Sequence, residues 1–258
     1  MPLMWNILAA RLHQKNRTLK YPDGPAPELP ERFAGAPEIE TGKCGENCDA
    51  CLRQCPTGAI LREINTGELR IDLGLCLFCR ACERACPSGA IHFTHEYRLA
   101  AARREDLITG PGREFPAEAR QALAEKLFKR SLKLRFVSAG GCNACEADCN
   151  VLSTVAWDMG RFGIQFVPSP RHADGILVTG PVPENMRLAL LKTYEAIPSP
   201  KIVIATGACA ISGGLYHSHP ETHNGAADLV PVDLWIPGCP PHPLTILDGL
   251  LRFLGRIS

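Results

Sequence analysis

The chain has 258 residues with 28 Lys plus Arg against 27 Asp plus Glu, long enough for about two domains and too evenly charged to imply nucleic acid or an anionic membrane as the main partner. Its longest apolar stretches, such as Ile202 to Ile211, are half the roughly 20 residues a membrane-spanning helix needs, and no small-residue cleavage site follows the apolar start, so the expected compartment is the cytoplasm. Thirteen cysteines at two- and three-residue gaps, without a secretory signal, point to metal ligation instead of disulfides.

At the start, Leu3, Met4, Ile7, Leu8 and Leu12 recur at helical spacing and are followed by Arg11, Lys15, Arg17 and Lys20. They predict a short amphipathic helix with a basic end, packed on its own domain or docked on a partner subunit or membrane surface. Pro22 to Pro37, with five prolines, reads as an extended arm. Together these form an N-terminal segment over 1–40.

Residues 41–95 contain an internal repeat. Cys48 to Ile60 (CDACLRQCPTGAI) matches Cys79 to Ile91 (CRACERACPSGAI) at nine of 13 positions with an offset of 31. Asn65, Thr66 and Gly67 form a turn between short strands, so each half reads as a strand plus a cysteine loop. Halves this small bury little apolar area, and metal must supply folding energy that the core lacks. Cys76, Cys79, Cys82 and Cys86 followed by Pro87 form the bacterial ferredoxin run, in which three close thiolates hold one 4Fe-4S cluster and the fourth reaches the other. By that rule Cys44, Cys48, Cys51 and Cys86 hold cluster 1, and Cys55, Cys76, Cys79 and Cys82 hold cluster 2. Three residues separate Cys44 from Cys48 where two are usual, and Gly45, Glu46 and Asn47 are read as a one-residue bulge that keeps Cys44 a ligand. Structural zinc is the rival reading, disfavoured because zinc sites use two well-separated pairs.

Tyr97 to Asp106 and Pro116 to Leu132 are rich in Ala, Leu, Glu, Lys and Arg and predict a helical connector over 96–132, broken at Thr109 to Gly112. From 133 to 258 strands and helices alternate: strand Leu134 to Ser138, helix Val151 to Arg161, strand Gln165 to Pro168, strand Gly175 to Thr179, helix Glu184 to Ala196, strand Lys201 to Ala205, strand Val232 to Ile236 and helix Leu244 to Leu254. The expected fold is thus an α+β ferredoxin-like domain followed by an α/β domain with a parallel, flavodoxin-like sheet. Cys142, Cys145, Cys209 and Cys239 follow three of these strands and converge at one sheet edge on a third 4Fe-4S cluster, flanked by glycines that let backbone amides approach. Cys149 reads as a small buried residue. Glu146 reads as a helix-terminus carboxylate or a proton acceptor near the cluster. His217, His219 and His223 read as a solvated loop. No nucleotide motif and no activated nucleophile is present, so the chain is expected to carry electrons for chemistry done elsewhere.

These motifs also carry a family resemblance. Residues 1 to about 110, with Tyr21-Pro22, both cysteine runs and YRLAAARREDL at 97–107, resemble the polyferredoxin-type subunit of formate hydrogenlyase and related membrane-bound [NiFe] hydrogenases. Residues from about 130, with GGCNACE at 140–146, SPRHAD at 169–174, GACAISGG at 207–214 and VDLWIPGCPPHP at 232–243, resemble the small subunit of the same assemblies, which is similar to the complex I 20 kDa subunit. The resemblance implies a fusion of two polypeptides that are usually separate. It also implies an electron-transfer subunit with three 4Fe-4S clusters, peripheral to the cytoplasmic membrane face. Its partners would be a hydrogenase- or complex I-type large subunit, membrane-arm subunits and an upstream electron donor. Asn143 and Ala144 between Cys142 and Cys145 favour the hydrogenase branch. A quinone-reducing assembly and a non-redox iron-sulfur scaffold are the alternatives.

Overall fold

The structure, a computed structural model, describes residues 2–45, 48–64, 66–109, 128 and 130–257. Helix α1 spans Pro2–Gln14, and strand β1 (Pro37–Ile39) ends the proline arm that follows it. The ferredoxin-like module contains α2 (Ala50–Gln54), β2 (Ile60–Arg62), β3 (Leu69–Asp72), α3 (Ala81–Ala85) and β4 (Ile91–Phe93). β1 pairs antiparallel with β4, and β2 with β3, so the two halves of the repeat each contribute a short helix and a strand. Of the predicted turn, Thr66 and Gly67 lie between β2 and β3 with Gly67 at positive φ, where glycine carries no steric penalty; Asn65 lies outside the described residues.

The C-terminal region builds one five-stranded parallel sheet from β6 (Leu132–Ser138), β7 (Ile164–Phe166), β8 (Gly175–Thr179), β9 (Ile202–Thr206) and β10 (Leu234–Ile236). The order is β10-β9-β8-β6-β7. Renumbered from the first of these strands this is the doubly wound 2-1-3-4-5 order, so the expected flavodoxin-like architecture is present. β8 and β9 are buried along their whole length, as strands covered on both faces must be. Leu177 and Ile204 point into one core with Leu247 and Leu250 of α7 (Pro243–Phe253), while Ile176, Val178 and Val203 point into the other with Leu190 of α5 (Glu184–Ala196).

Two predicted helices take other forms. The helix expected at Val151 to Arg161 is replaced by an earlier one, α4 (Ala144–Val151), followed by turns and a 3-10 segment, Met159–Phe162. The left-handed Asn143 starts α4 directly after Cys142, and the chain leaves it through Ser153 and Thr154, which bond back to Asn150 and Val151. Tyr97 to Asp106 is not an α-helix either. Ala101 exchanges both backbone hydrogen bonds with Trp235 at 2.8 and 2.9 Å, capping the open edge of β10, and only Arg104–Leu107 coils, as a 3-10 turn before β5 (Ile108–Thr109). Satisfying a sheet edge outweighs the helix propensity of three alanines. Of the predicted helix from Pro116 to Leu132, residues 116–127 and 129 lie outside the described residues, and Leu132 opens β6.

The ferredoxin module and the sheet domain share a core. Ile71, Leu73, Leu99 and Leu107 pack with Ala205, Ala210, Ile211 and Trp235. The proline arm is pinned across α7, where the Tyr21 hydroxyl donates to Asp248 Oδ1 at 2.6 Å and Arg252 Nε donates to Asp248 Oδ2 at 3.0 Å.

His242 caps α7: its Nδ1 accepts from the Leu244 amide at 3.1 Å, with Phe33 and Trp157 edge-on to its ring. Burial holds its pKa below the ordinary 6.5, so the folded state favours the neutral ring that can accept this bond. The stabilisation is complete above the unfolded value and is lost as pH falls through 6.5 toward the folded value. His242→Asn keeps a capping acceptor without a titrating ring. Thermal melts of the holoprotein between about pH 7.5 and 5.5 should therefore show a shallower decline for the variant, by about 1 kcal/mol, the size of one helix cap. Parallel decline in both proteins would remove His242 as the source.

Candidate iron-sulfur sites

The eight cysteines of the ferredoxin module line two separate cavities, four to each. One cavity is lined by Cys44, Cys48, Cys51 and Cys86 together with Leu69, Pro87 and Ile91. A second is lined by Cys55, Cys76, Cys79 and Cys82 together with Ile60, Ile71 and Phe93. Cys44 lines the first cavity despite the longer gap to Cys48; of the bulge, Glu46 and Asn47 lie outside the described residues. Among the described residues no three His, Cys, Asp or Glu side chains converge as they would on a single ion; the sulfurs ring a space instead.

Repeat symmetry extends to hydrogen bonds on sulfur. The Ala59 amide donates to Cys55 Sγ and the Ala90 amide to Cys86 Sγ, each at 3.2 Å, with Thr57 and Ser88 hydroxyls beside the same sulfurs. Burial acts to raise the Cys86 pKa, yet these donors hold it below its ordinary value. Elsewhere burial wins: it pushes the Cys76 thiol up to about 12 and Cys82 up to about 11, with the neighbouring Cys55 and Cys79 adding repulsion. Cys51 is raised by burial and then by Cys44 and Cys86. Buried thiols of raised pKa stay neutral until a cationic centre displaces their protons, and four of them around an apolar cavity are the donor set of an iron-sulfur cluster.

The other four predicted ligands meet at the C-terminal edge of the parallel sheet. Cys142 and Cys145 follow β6, Cys209 sits in α6 (Ala208–Ser212) after β9, and Cys239 follows β10. β6 and β8 flank the point where strand order reverses, the usual ligand position in such sheets. Burial raises Cys209 to about 11, with Cys239 and Cys142 next in effect; Cys145 is raised by burial, then by Cys149, Glu146, Cys209 and Cys239. Gly207 lies at φ +89, and a Cβ there would stand 2.5 Å from Cys145 Sγ; a Cβ on Gly214 would stand 2.8 Å from Cys209 Sγ. Glycine is thus required where backbone closes on the sulfurs.

Glu146 is buried and aimed into the sheet. Its Oε1 accepts from Ser138 Oγ at 2.7 Å and Thr179 Oγ1 at 2.6 Å, residues that are register partners on β6 and β8. Burial would raise its pKa, but the two hydroxyls hold it low, so it is a clamp on the two central strands that fixes the Gly140-Gly141 turn. Cys149 is fully buried in the core, as expected for a small packing residue, and burial raises it to about 12. His217 bonds the Ser212 carbonyl, His219 accepts from the Glu221 amide and His223 meets Glu184 at 2.5 Å; each ring has a protein partner.

The sequence did not disclose the joint between the second and third cysteine sets. Asp72 receives both Arg104 guanidinium nitrogens, at 2.7 and 2.8 Å, and the Gly74 amide at 2.8 Å. The Gly74 carbonyl accepts from Ser212 Oγ at 2.8 Å. One hydrogen bond therefore ties the turn before Cys76 to the helix that carries Cys209. On the same side, Cys239 is raised by burial, then by Cys142 and by Cys79 of the ferredoxin module. The only local signal for this joint was a Gly-Leu-Cys turn and a Ser in GACAISGG, neither distinctive alone.

Comparison with known proteins agrees with this layout. Residues 142–253 match the family described as NADH ubiquinone oxidoreductase, 20 Kd subunit, and residues 43–90 match a 4Fe-4S dicluster domain. A probable membrane-bound hydrogenase subunit of Pyrococcus furiosus is 40% identical over 141 residues, covering 55% of this chain and 84% of the relative. The chain belongs to the 20 kDa subunit family of NADH ubiquinone oxidoreductase. Formate hydrogenlyase subunit 7 of Escherichia coli is 44% identical over 142 residues, so the match spans about half of each protein, 55% of this chain and 55% of the relative. An NADH-quinone oxidoreductase subunit of Desulfovibrio desulfuricans is 40% identical over 43% of this chain and 61% of its own length. Among solved structures, the membrane-bound sulfane sulfur reductase, an archaeal respiratory membrane complex, aligns over 52% of this chain and 73% of its own with 35% identity and a TM-score of 0.45. As a member of this 20 kDa subunit family with a 4Fe-4S dicluster domain attached, the chain is an iron-sulfur protein.

Two substitutions separate the roles in the sheet-edge site. Gly207→Ala places a methyl against Cys145 Sγ and should remove about four iron atoms per chain while leaving the ferredoxin pair loaded. Ser212→Ala should keep full iron content and leave the magnetic interaction between reduced clusters unchanged in electron paramagnetic resonance, because apolar burial holds the joint. Iron loss in the serine variant, or none in the glycine variant, would refute this division.

Proposed function

We propose that this chain is the electron-transfer subunit of a membrane-peripheral, hydrogenase-related oxidoreductase and carries three 4Fe-4S clusters in series. Cys44, Cys48, Cys51 and Cys86 hold cluster 1; Cys55, Cys76, Cys79 and Cys82 hold cluster 2; Cys142, Cys145, Cys209 and Cys239 hold cluster 3. When bound, such clusters supply one-electron carriers whose potentials are set by hydrogen bonds to sulfur, net charge and exposure. The protein's part is to hold them in order. Amides and hydroxyls at Cys55 and Cys86 tune the first module, and the Gly74 to Ser212 contact carries the path across the joint. That juxtaposition of the second and third cysteine sets is the observation on which the reading rests.

Cys142 and Cys239 are exposed, and beside Cys209 the loop side chains Leu215 and Tyr216 are exposed too. An iron-sulfur edge left open to water beside apolar side chains fits a face that a catalytic large subunit covers. Electrons enter at the ferredoxin module from an upstream donor and leave across this face, with membrane-arm subunits completing the assembly on the cytoplasmic side. The Cys-Asn-Ala-Cys spacing at 142–145 favours a hydrogenase-type partner over a quinone-reducing one.

Anaerobically purified protein should contain about 12 iron atoms and as many sulfides per chain, and dithionite should reduce all three clusters. Cys209→Ala should delete about one third of the iron together with one resonance signal. Far less iron, or clusters that never reduce, would defeat the electron-carrier reading in favour of a scaffold. In the purified complex, hydrogen-dependent dye reduction is the expected activity; sensitivity to quinone-site inhibitors without it would assign the quinone-linked alternative.

A further inference from the structure

Helix α1 leaves the body of the protein uncovered. Every described side chain from Trp5 to Gln14 is exposed, including Trp5 at 68%, Leu8 at 48%, Leu12 at 77% and Ile7 at 62%. Trp5, Leu8 and Leu12 recur at i, i+3 and i+7 and so share one face, while Ile7 lies on the opposite side with Asn6 and Gln14. Exposing four large apolar residues on three and a half turns costs solubility unless something covers them.

Charge identifies the cover. Between Met1 and Pro22 there is no Asp or Glu, whereas Arg11, Lys15, Arg17 and Lys20 cluster at the end where the helix meets the body. There the chain is gripped firmly: Thr18 Oγ1 donates to the Val155 carbonyl at 3.0 Å, the Leu19 amide to the Ala156 carbonyl at 2.8 Å, and Arg161 Nη1 to the Leu19 carbonyl at 2.7 Å. Val155, beside this grip, is itself 70% exposed and extends the apolar surface onto the body. A helix of 13 residues is about 20 Å long, short of the ~30 Å hydrocarbon core, so it cannot span. Trp5, Leu8 and Leu12 on one face, cationic residues at the C-terminal end of the helix and no acidic residue suit the surface of an anionic bilayer, where basic side chains meet headgroups and these three side chains sink below them.

We propose that α1 binds directly to an anionic membrane surface, with Trp5, Leu8 and Leu12 inserted and Arg11, Lys15, Arg17 and Lys20 at the headgroups. This deepens the membrane-peripheral placement proposed above and rests on it, adding a lipid contact made by the chain itself. The grip at Thr18 and Leu19 then sets how the cluster-bearing body stands over the bilayer.

The test uses the full holoprotein in flotation with phosphatidylcholine vesicles, with and without phosphatidylglycerol. Binding should be at least roughly tenfold stronger to the anionic vesicles and should weaken as salt is raised. Leu8→Glu with Leu12→Glu should abolish it, and Arg11→Gln with Lys15→Gln should reduce it several-fold, both with unchanged iron content. Trp5→Phe should remove the blue shift of emission on binding. Wild-type protein that fails to float with anionic vesicles overturns the proposal, as does flotation that both double variants retain. If the leucine variant loses a partner subunit from the complex while wild type never floats, α1 docks on protein and the proposal fails. Iron content and reducibility are read on the same samples, so failure here is distinguishable from failure of the electron-carrier reading.

Discussion

The burial of cysteine sulfur is the constraint around which the molecule is organised. Each of three places gathers four cysteines, and burial with mutual repulsion raises the thiols of Cys76, Cys82, Cys145 and Cys209. Without metal these groups stay protonated and neutral; metal displaces their protons and turns them into anchors. The ferredoxin module shows the dependence most plainly. Its strands are three or four residues long and its helices five, too short to be stable by themselves, yet they surround two cavities with eight sulfurs.

The sheet-edge site solves the same problem with a rigid frame. β8, β9 and β10 are buried along their length and β6 buries Leu132, Leu134 and Val137, and the C-terminal ends of β6, β9 and β10 set the positions from which the cysteine loops spring. Glu146 is held at the centre of this frame because Ser138 and Thr179 are opposite one another in the sheet register. A carboxylate that accepts from two hydroxyl donors carries a fixed charge at a much reduced desolvation cost. Its role is therefore tied to geometry first, with the glycine turn before Cys142 lying against it.

Much of this was legible in the sequence, for physical reasons that also mark where legibility ends. A repeat of nine identities in 13 positions places the eight cysteines in two matching loops, and the ferredoxin rule crosses them into the two groups that line the cavities. Strand Gly175 to Thr179 and helix Glu184 to Ala196 have the bounds expected from their patterns, since a fully buried strand and an amphipathic helix write their periodicity locally. The segment Tyr97 to Asp106 misleads for the complementary reason. Its alanines favour a helix, but its backbone serves Trp235 more than a hundred residues away, and no local pattern encodes an edge that needs a partner. The Asp72, Arg104 and Ser212 joint was hidden in the same way: its members are ordinary polar residues until the fold brings them together.

That joint explains how a chain made of two modules can act as one conductor. Two domains linked only by a tether would sample many separations, and the gap between the second and third cysteine sets would vary with them. Here Ile71, Leu73 and Leu107 from one module are buried with Ala205, Ala210 and Ile211 from the other, so the modules cannot part without exposing core. Gly74 stands at the tightest point, where a Cβ would lie 2.7 Å from both Arg104 and Ile211. Close packing of this kind is bistable at best and does not slide. The placement of the second cysteine set beside the third is thus fixed by the same apolar burial that holds the modules together.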